Sequence, residues 1–429
     1  MRNDIKNNRM KNIDEIKYQI KSLFHNGFFH ILLGGTLSKV IAFFSSIIIV
    51  RFVEKTEYAY LAYSDNIYSY VYLITGLGLD SAILKYCVSD NKEKNKSYFK
   101  FSLKYGMLVQ ILVVGMILAF INIFPIPFPD AKIYMYLLGG YPFLYFLSMV
   151  LQAFMRARLK NREYAYMGIL QTGIVLGISL ALVFPTGAFS VIIARYTALI
   201  IVICWGIKVV APELKNISSH RVTGREAKEL LFFGFSMLLA NVFSMIMPIN
   251  EGFLVNNLIR DTTISANYKV ANLIPQQVSF VTSALVTYYF PYFARMNDKK
   301  EIWKKSKKIG VFTFELIVAI SIFGILISPI LIRVVYGNQY SDIGNLTTLL
   351  WIMHSLNAGF RMLPMNILPA LGYTKFNVLM SVVACVIHMI IDYFCILNMG
   401  INGVAVAGCT VYLITGLCYW VYLKKKVLS

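Results

Sequence analysis

Of 429 residues, 58% are hydrophobic and only 14% are charged, with a mean hydropathy of +0.63, so there is almost no room for a soluble domain. Soluble domains carry about 25% charged residues; this composition is that of an all-α polytopic membrane protein. The net charge of +20 would point to nucleic acid in a soluble protein, but here the basic residues lie between apolar runs, where topology requires them, and nucleic acid is not expected as a partner.

Residues 1–27 form a basic segment with Ile13, Ile16, Ile20 and Leu23 at helical spacing. An amphipathic helix on the inner leaflet and an unstructured tail both fit. No apolar core of a signal peptide is present there. Apolar segments follow near 28–52, 57–79, 101–123, 132–154, 164–184 and 188–208, defining a first six-helix bundle over 28–208. A polar linker, 209–229, holds Lys215, His220, Arg221 and Arg225. Six more segments lie near 230–255, 263–290, 309–332, 344–369, 376–397 and 400–423, giving a second bundle over 230–423 and a tail, 424–429. Each can cross ~30 Å of hydrocarbon at 1.5 Å per residue.

Counting residues at segment edges with the adjoining loop, 32 of the 41 Lys and Arg belong to the N-terminus, the C-terminus and the alternate loops between them, five to the other loops and four to segment interiors. The positive-inside rule then places both termini in the cytoplasm and supports a count of twelve spans. The halves resemble each other weakly: Glu57 to Ala62 before the second span matches Ile264 to Lys269 before the eighth, and Arg162-Glu163-Tyr164 matches Thr374-Lys375-Phe376. Six spans repeated without inversion make a parallel repeat. The six cysteines (Cys87, Cys204, Cys385, Cys395, Cys409, Cys418) form no Cys-x-x-Cys, and neither a zinc site, a cofactor nor an ATP-binding Gly-x-x-x-x-Gly-Lys-Ser/Thr loop is indicated.

Ionisable groups inside the spans are the candidate functional residues, since each costs roughly 2.5–3.5 kcal/mol at a helix centre on insertion scales. Lys39 lies in span 1, Asp65 in span 2, Glu251 in span 7 and Lys269 in span 8. Pro248 and Gly252 beside Glu251 are expected to break span 7. Permanent ion pairs, such as Glu251 with Lys269, are the plain structural alternative. Arg361 lies in span 10 among Gly359, Pro364 and Pro369, which suggests a kinked helix beside a cavity. Arg195 in span 6 could instead snorkel to headgroups. His388 and Asp392, four apart in span 11, share a helix face, either as a proton relay or as a satisfied buried pair.

Three stretches resemble the polysaccharide flippases of the multidrug/oligosaccharidyl-lipid/polysaccharide exporter superfamily, as does the twelve-span layout. They are Val50-Arg51-Phe52-Val53 with Glu57-Tyr58-Ala59-Tyr60, then Gly76-Leu77-Gly78-Leu79-Asp80-Ser81-Ala82, then Pro369-Ala370-Leu371-Gly372-Tyr373-Thr374-Lys375. Ala59 departs from the family's Tyr-Gly-x-Tyr. The resemblance implies a Wzx-type flippase, not an enzyme. Its substrate would be an undecaprenyl-pyrophosphate-linked oligosaccharide for O-antigen, capsule or exopolysaccharide. It would be carried from the inner to the outer leaflet of the bacterial cytoplasmic membrane by alternating access, with a polysaccharide polymerase and a chain-length regulator as further partners. The family's cavity is lined by spans 1, 2, 7 and 8. On that basis Lys39 and Lys269, then Arg361 and Arg195, are the substrate-binding candidates. Asp65 and Glu251 would hold the lysines or carry protons, and His388 with Asp392 would relay them. The alternatives are a multidrug/cation antiporter of the same superfamily and a membrane-embedded polysaccharide polymerase.

Overall fold

The computed structural model describes residues 28–428 except 216, 218, 219, 295 and 297; the N-terminal segment 1–27 lies outside the described residues. Within lipid only a helix or a closed barrel satisfies the backbone. The described residues are almost entirely helical, with no strand among them. In chain order the helices are α1 (Phe28–Phe52), α2 (Lys55–Leu73), α3 (Leu79–Tyr86), α4 (Lys92–Ile123), α5 (Ala131–Leu138), α6 (Tyr141–Ala157), α7 (Asn161–Thr186) and α8 (Phe189–Leu214). They continue as α9 (Gly224–Ile259), α10 (Thr262–Leu273), α11 (Ser279–Ala294), α12 (Lys299–Leu331), α13 (Gly344–Ser355), α14 (Met362–Ala370), α15 (Thr374–Met399) and α16 (Asn402–Leu428).

Nine helical stretches among the described residues are long and apolar enough to cross a membrane, so the chain is a multi-pass membrane protein. The three expected spans outside that set, near 230–255, 263–290 and 344–369, are helical too. They hold Glu251, Lys269, and His354 with Arg361. The expected linker is shorter than its polar composition suggests, because α8 runs on to Leu214 and α9 already starts at Gly224.

Several spans that read as single helices are broken. Span 2 divides into α2 and α3 at Gly76-Leu77-Gly78, all three left-handed at φ of 56, 50 and 71°. Gly78 needs to be glycine twice over, for its φ and because a Cβ there would strike the Gly234 carbonyl of α9. Span 8 divides into α10 and α11 at Pro275, span 4 into α5 and α6 at Gly139-Gly140, and span 10 into α13 and α14 around a π-turn over Leu356–Arg361. Span 7, expected to break at Pro248, instead stays one helix through to Ile259. Neighbours hold the turn beside the proline: Asn66 Nδ2 donates to the Ile249 carbonyl at 2.9 Å, and Tyr70 Oη donates to Asn250 Oδ1 at 2.7 Å.

By contact the chain divides into two compact units. The first takes residues up to Phe52, Ile74–Phe120 and Tyr136–Leu238; the second takes Val53–Leu73, Ile121–Met135 and the chain from Leu239. In the first, α1 packs along α7 and α7 along α8, over a core containing Phe146, Phe154, Met155 and Leu199. In the second, α15 packs along α16 and α2 against α10, with a core around Phe293, Leu363 and Tyr419. Leu112, Ile123, Phe323 and Leu326 are exposed, as residues against lipid chains should be.

The start of α9 is fastened by a capping box, Thr223-x-x-Glu226. Glu226 Oε2 accepts from the Thr223 amide at 2.9 Å and from the Thr223 hydroxyl at 3.0 Å, and lies 3.2 Å from His220 Nε2. Its other oxygen accepts from Tyr98 Oη of α4 at 2.9 Å and lies 3.5 Å from Lys94 Nζ. The Thr223 backbone N–H, followed by these side-chain donors, holds the Glu226 carboxyl down at about 2.

Candidate functional site

Two helices of the second unit bring three ionisable groups together. On α15, His388 and Asp392 follow one another by one turn, and both are completely buried. Their i, i+4 spacing places them on one face, and His388 Nδ1 lies 3.0 Å from Asp392 Oδ2. On α9, Glu251 is 1% exposed, and its Oε1 lies 3.4 Å from His388 Nε2. The imidazole thus stands between two carboxylates, at ion-pairing distance from each but not aligned for a hydrogen bond to either. Tyr268 of α10 donates its hydroxyl to Glu251 Oε2 at 2.9 Å. Tyr412 of α16 lies nearly parallel to the imidazole, with ring centres 6.0 Å apart and 20° between planes.

Arg361 completes the group. It ends the π-turn of span 10 and is 6% exposed. The guanidinium lies 5.3 Å from the centre of the Tyr412 ring, and Nη1 donates to Asn357 Oδ1 at 3.0 Å. The kink expected from the flanking Gly and Pro residues takes the form of this extra-wide turn, a geometry that recurs at functional sites. Two residues before that turn begins, His354 Nε2 meets Asn272 Oδ1 at 2.5 Å.

The other sequence candidates lie elsewhere. Lys39 is exposed on α1 and Arg195 half-buried on α8, both in the first unit. Asp65 is half-buried on α2 and Lys269 exposed on α10, both in the second. Glu251 is engaged by Tyr268 and His388, not by the neighbouring lysine, because its helix face is turned toward α15. Sequence reasoning missed Tyr268 and Tyr412. The phenols carry no signal of their own in a chain with 28 tyrosines.

A family model described as polysaccharide biosynthesis protein matches residues 48–345. The chain belongs to this polysaccharide biosynthesis family. A protein of Shigella flexneri described as "Putative O-antigen transporter" is 25% identical over 211 residues, covering 49% of this chain and 50% of the relative. The chain therefore spans about half the length of the curated relative it matches. Among solved structures, the lipid II flippase MurJ in an inward closed conformation superposes with a TM-score of 0.73 at 16% identity, over 93% of this chain and 87% of that one. An outward-facing multidrug resistance transporter of the MATE family, in the MOP superfamily, gives 0.58 at 10% identity over 93% and 94%. This member of the polysaccharide biosynthesis family thus has the fold of the MOP superfamily, and its relatives in sequence and structure are transporters rather than enzymes.

Within that fold the cluster has the chemistry of a charge-exchange site. Two buried carboxylates flank the one side chain whose ordinary titration lies near neutral pH. A charge gained or lost there in a low-dielectric surrounding acts strongly on its neighbours, and they stand on five different spans: 7, 8, 10, 11 and 12.

Proposed function

We propose that this protein is a flippase for an undecaprenyl-pyrophosphate-linked oligosaccharide repeat unit. It carries the unit from the inner to the outer leaflet of the bacterial cytoplasmic membrane by alternating access, and both its termini are cytoplasmic. Membership of the polysaccharide biosynthesis family carries this reading, and the O-antigen description of the Shigella flexneri relative and the fold shared with a lipid II flippase support it. Twelve spans in two six-helix halves fit the breaks that recur in spans 2 and 8 and in spans 4 and 10. Corresponding interruptions in two halves are what a repeat transporter shows near its binding site.

Lys39 and Lys269 are exposed cations inside helical spans, suited to a pyrophosphate or a sugar acid. An inside-negative potential itself favours outward movement of two negative charges, by about 4.6 kcal/mol at 100 mV. The Glu251–His388–Asp392 cluster adds proton coupling: a proton taken up at His388 is stabilised by both carboxylates and released when the span carrying Glu251 moves away.

The test is made in a strain lacking the gene. A complete repeat unit on undecaprenyl pyrophosphate should accumulate in the cytoplasmic leaflet and clear on re-expression. Repeat units that reach the outer leaflet but stay unpolymerised would move the reading to a polymerase. Unchanged lipid-linked sugars, with new sensitivity to cationic drugs, would move it to the antiporter.

A further inference from the structure

We propose that Arg361 is the fixed counter-charge of the Glu251–His388–Asp392 cluster, not a contact for the transported head group, and that the cluster therefore exchanges a single positive charge per cycle. The proposal rests on reading that cluster as the coupling site.

The argument starts from the guanidinium itself. Arginine stays charged in proteins, and a buried charge is tolerated only where opposite charge answers it. Arg361 is buried, yet the side chain its Nη1 reaches is the neutral Asn357, and its Nε has no hydrogen-bond partner. The charged cluster lies beside the same aromatic ring. Arg361 is 5.3 Å from the Tyr412 ring centre, and that ring is stacked 6.0 Å from the imidazole of His388. The position is fixed mechanically as well. Trp420 Nε1 donates to the Phe360 carbonyl at 2.9 Å, and Gly359 is packed so closely that a Cβ would lie 3.3 Å from Ile317.

The charges can then be summed. His388 is faced by Glu251 from α9, Tyr268 from α10, Arg361 from the π-turn, Tyr412 from α16 and Asp392 on its own helix. The phenols are neutral, so two negative charges stand against one fixed positive charge. One further positive charge balances the site, and a proton on His388 supplies it. Without Arg361 the two carboxylates would need two. A residue that met a pyrophosphate would instead have to be accessible, and Arg361 is buried whereas Lys39 and Lys269 are exposed.

The experiment is thermal unfolding of the purified full-length protein in detergent, from about pH 5.5 to about pH 8.5, a window that brackets histidine titration. With Arg361 replaced by Met, the two carboxylates lack their cation and are stabilised only by protons. The melting temperature of Arg361→Met should therefore fall more steeply as pH rises than that of the wild type, which depends on one proton where the variant depends on two. Arg361→Lys, which keeps the charge, and the double variant Arg361→Met with Asp392→Asn, which removes one negative charge, should both return to the shallower profile. A loss in Arg361→Met that is equal at every pH and is not relieved by Asp392→Asn would overturn the proposal and leave Arg361 a packing residue. The coupling reading has its own arm. His388→Gln should abolish the pH dependence of surface polysaccharide export in cells. Export with a wild-type pH profile would sink the coupling site itself, whereas its loss together with unrescued Arg361→Met would sink the Arg361 proposal alone.

Discussion

Glu251 keeps 1% of its surface exposed, so its neighbours have to replace the water that a carboxylate would otherwise hold. Tyr268 supplies a hydrogen bond at 2.9 Å, and His388 supplies a ring nitrogen at 3.4 Å. Tyr268 is itself buried at 5% exposure, so its hydroxyl is not there to meet solvent. Tyr268→Phe keeps the ring and its packing but removes the donor. A hydrogen bond to a charged group contributes about 1.5–3 kcal/mol, and a loss of that order should appear as a lower melting temperature with helix content unchanged. An unchanged melting temperature would mean that Glu251 does not depend on the phenol. The pairing of His388 with Asp392 was readable from their spacing of four. Glu251 joining them was not: it is 137 positions from His388 in the chain, and only the packing of α9 against α15 sets the 3.4 Å contact. For the same reason the sequence offers the nearby Lys269 as a partner for Glu251, and the fold turns that choice down.

At the scale of elements, helix boundaries follow local chemistry more closely than helix breaks do. Thr223 and Glu226 announce the start of α9, and the structure builds the capping box they spell. Glu226 also ties α9 to α4 through Tyr98 and Lys94. Its carboxyl lies at about 2, below the ordinary 4.5, so the stabilisation it gives is complete above 4.5 and is lost as pH falls through 2. Glu226→Gln should therefore speed protease cleavage at 220–223, just ahead of α9, near neutral pH, and the difference from wild type should shrink between pH 4.5 and pH 2. A difference that persists at the acid end would mean the variant acts through something other than the charge. The breaks are another matter. Gly76-Leu77-Gly78 was legible as a motif closing span 2, but its left-handed run and the approach to Gly234 depend on what lies across from it. Pro248 shows the converse. A proline that breaks an isolated helix is carried through here, in a stretch that Asn66 and Tyr70 of α2 grip through the Ile249 carbonyl and the Asn250 side chain.

At the scale of the molecule, the proposed flippase needs cations on both sequence halves of its path, and Lys39 and Lys269 stand in spans 1 and 8, one in each half. Both are exposed. In the proposed function each lysine meets a negatively charged head group. Each charge-assisted contact to such a head group contributes about 1.5–3 kcal/mol, and 1.4 kcal/mol is a factor of ten. Lys39→Gln and Lys269→Gln should thus each lower export by about tenfold or more, and together they should abolish it while the protein remains in the membrane at wild-type level. Lys→Arg at either position keeps the charge and should retain most of the export. Accumulation of the repeat unit in the cytoplasmic leaflet, measured beside membrane levels of the protein, separates loss of transport from loss of fold. Unchanged export by the double variant would remove the cationic path and shift the weight of recognition to the half-buried aromatic side chains of span 2, Tyr60, Tyr70 and Tyr72, since sugars stack on aromatic faces.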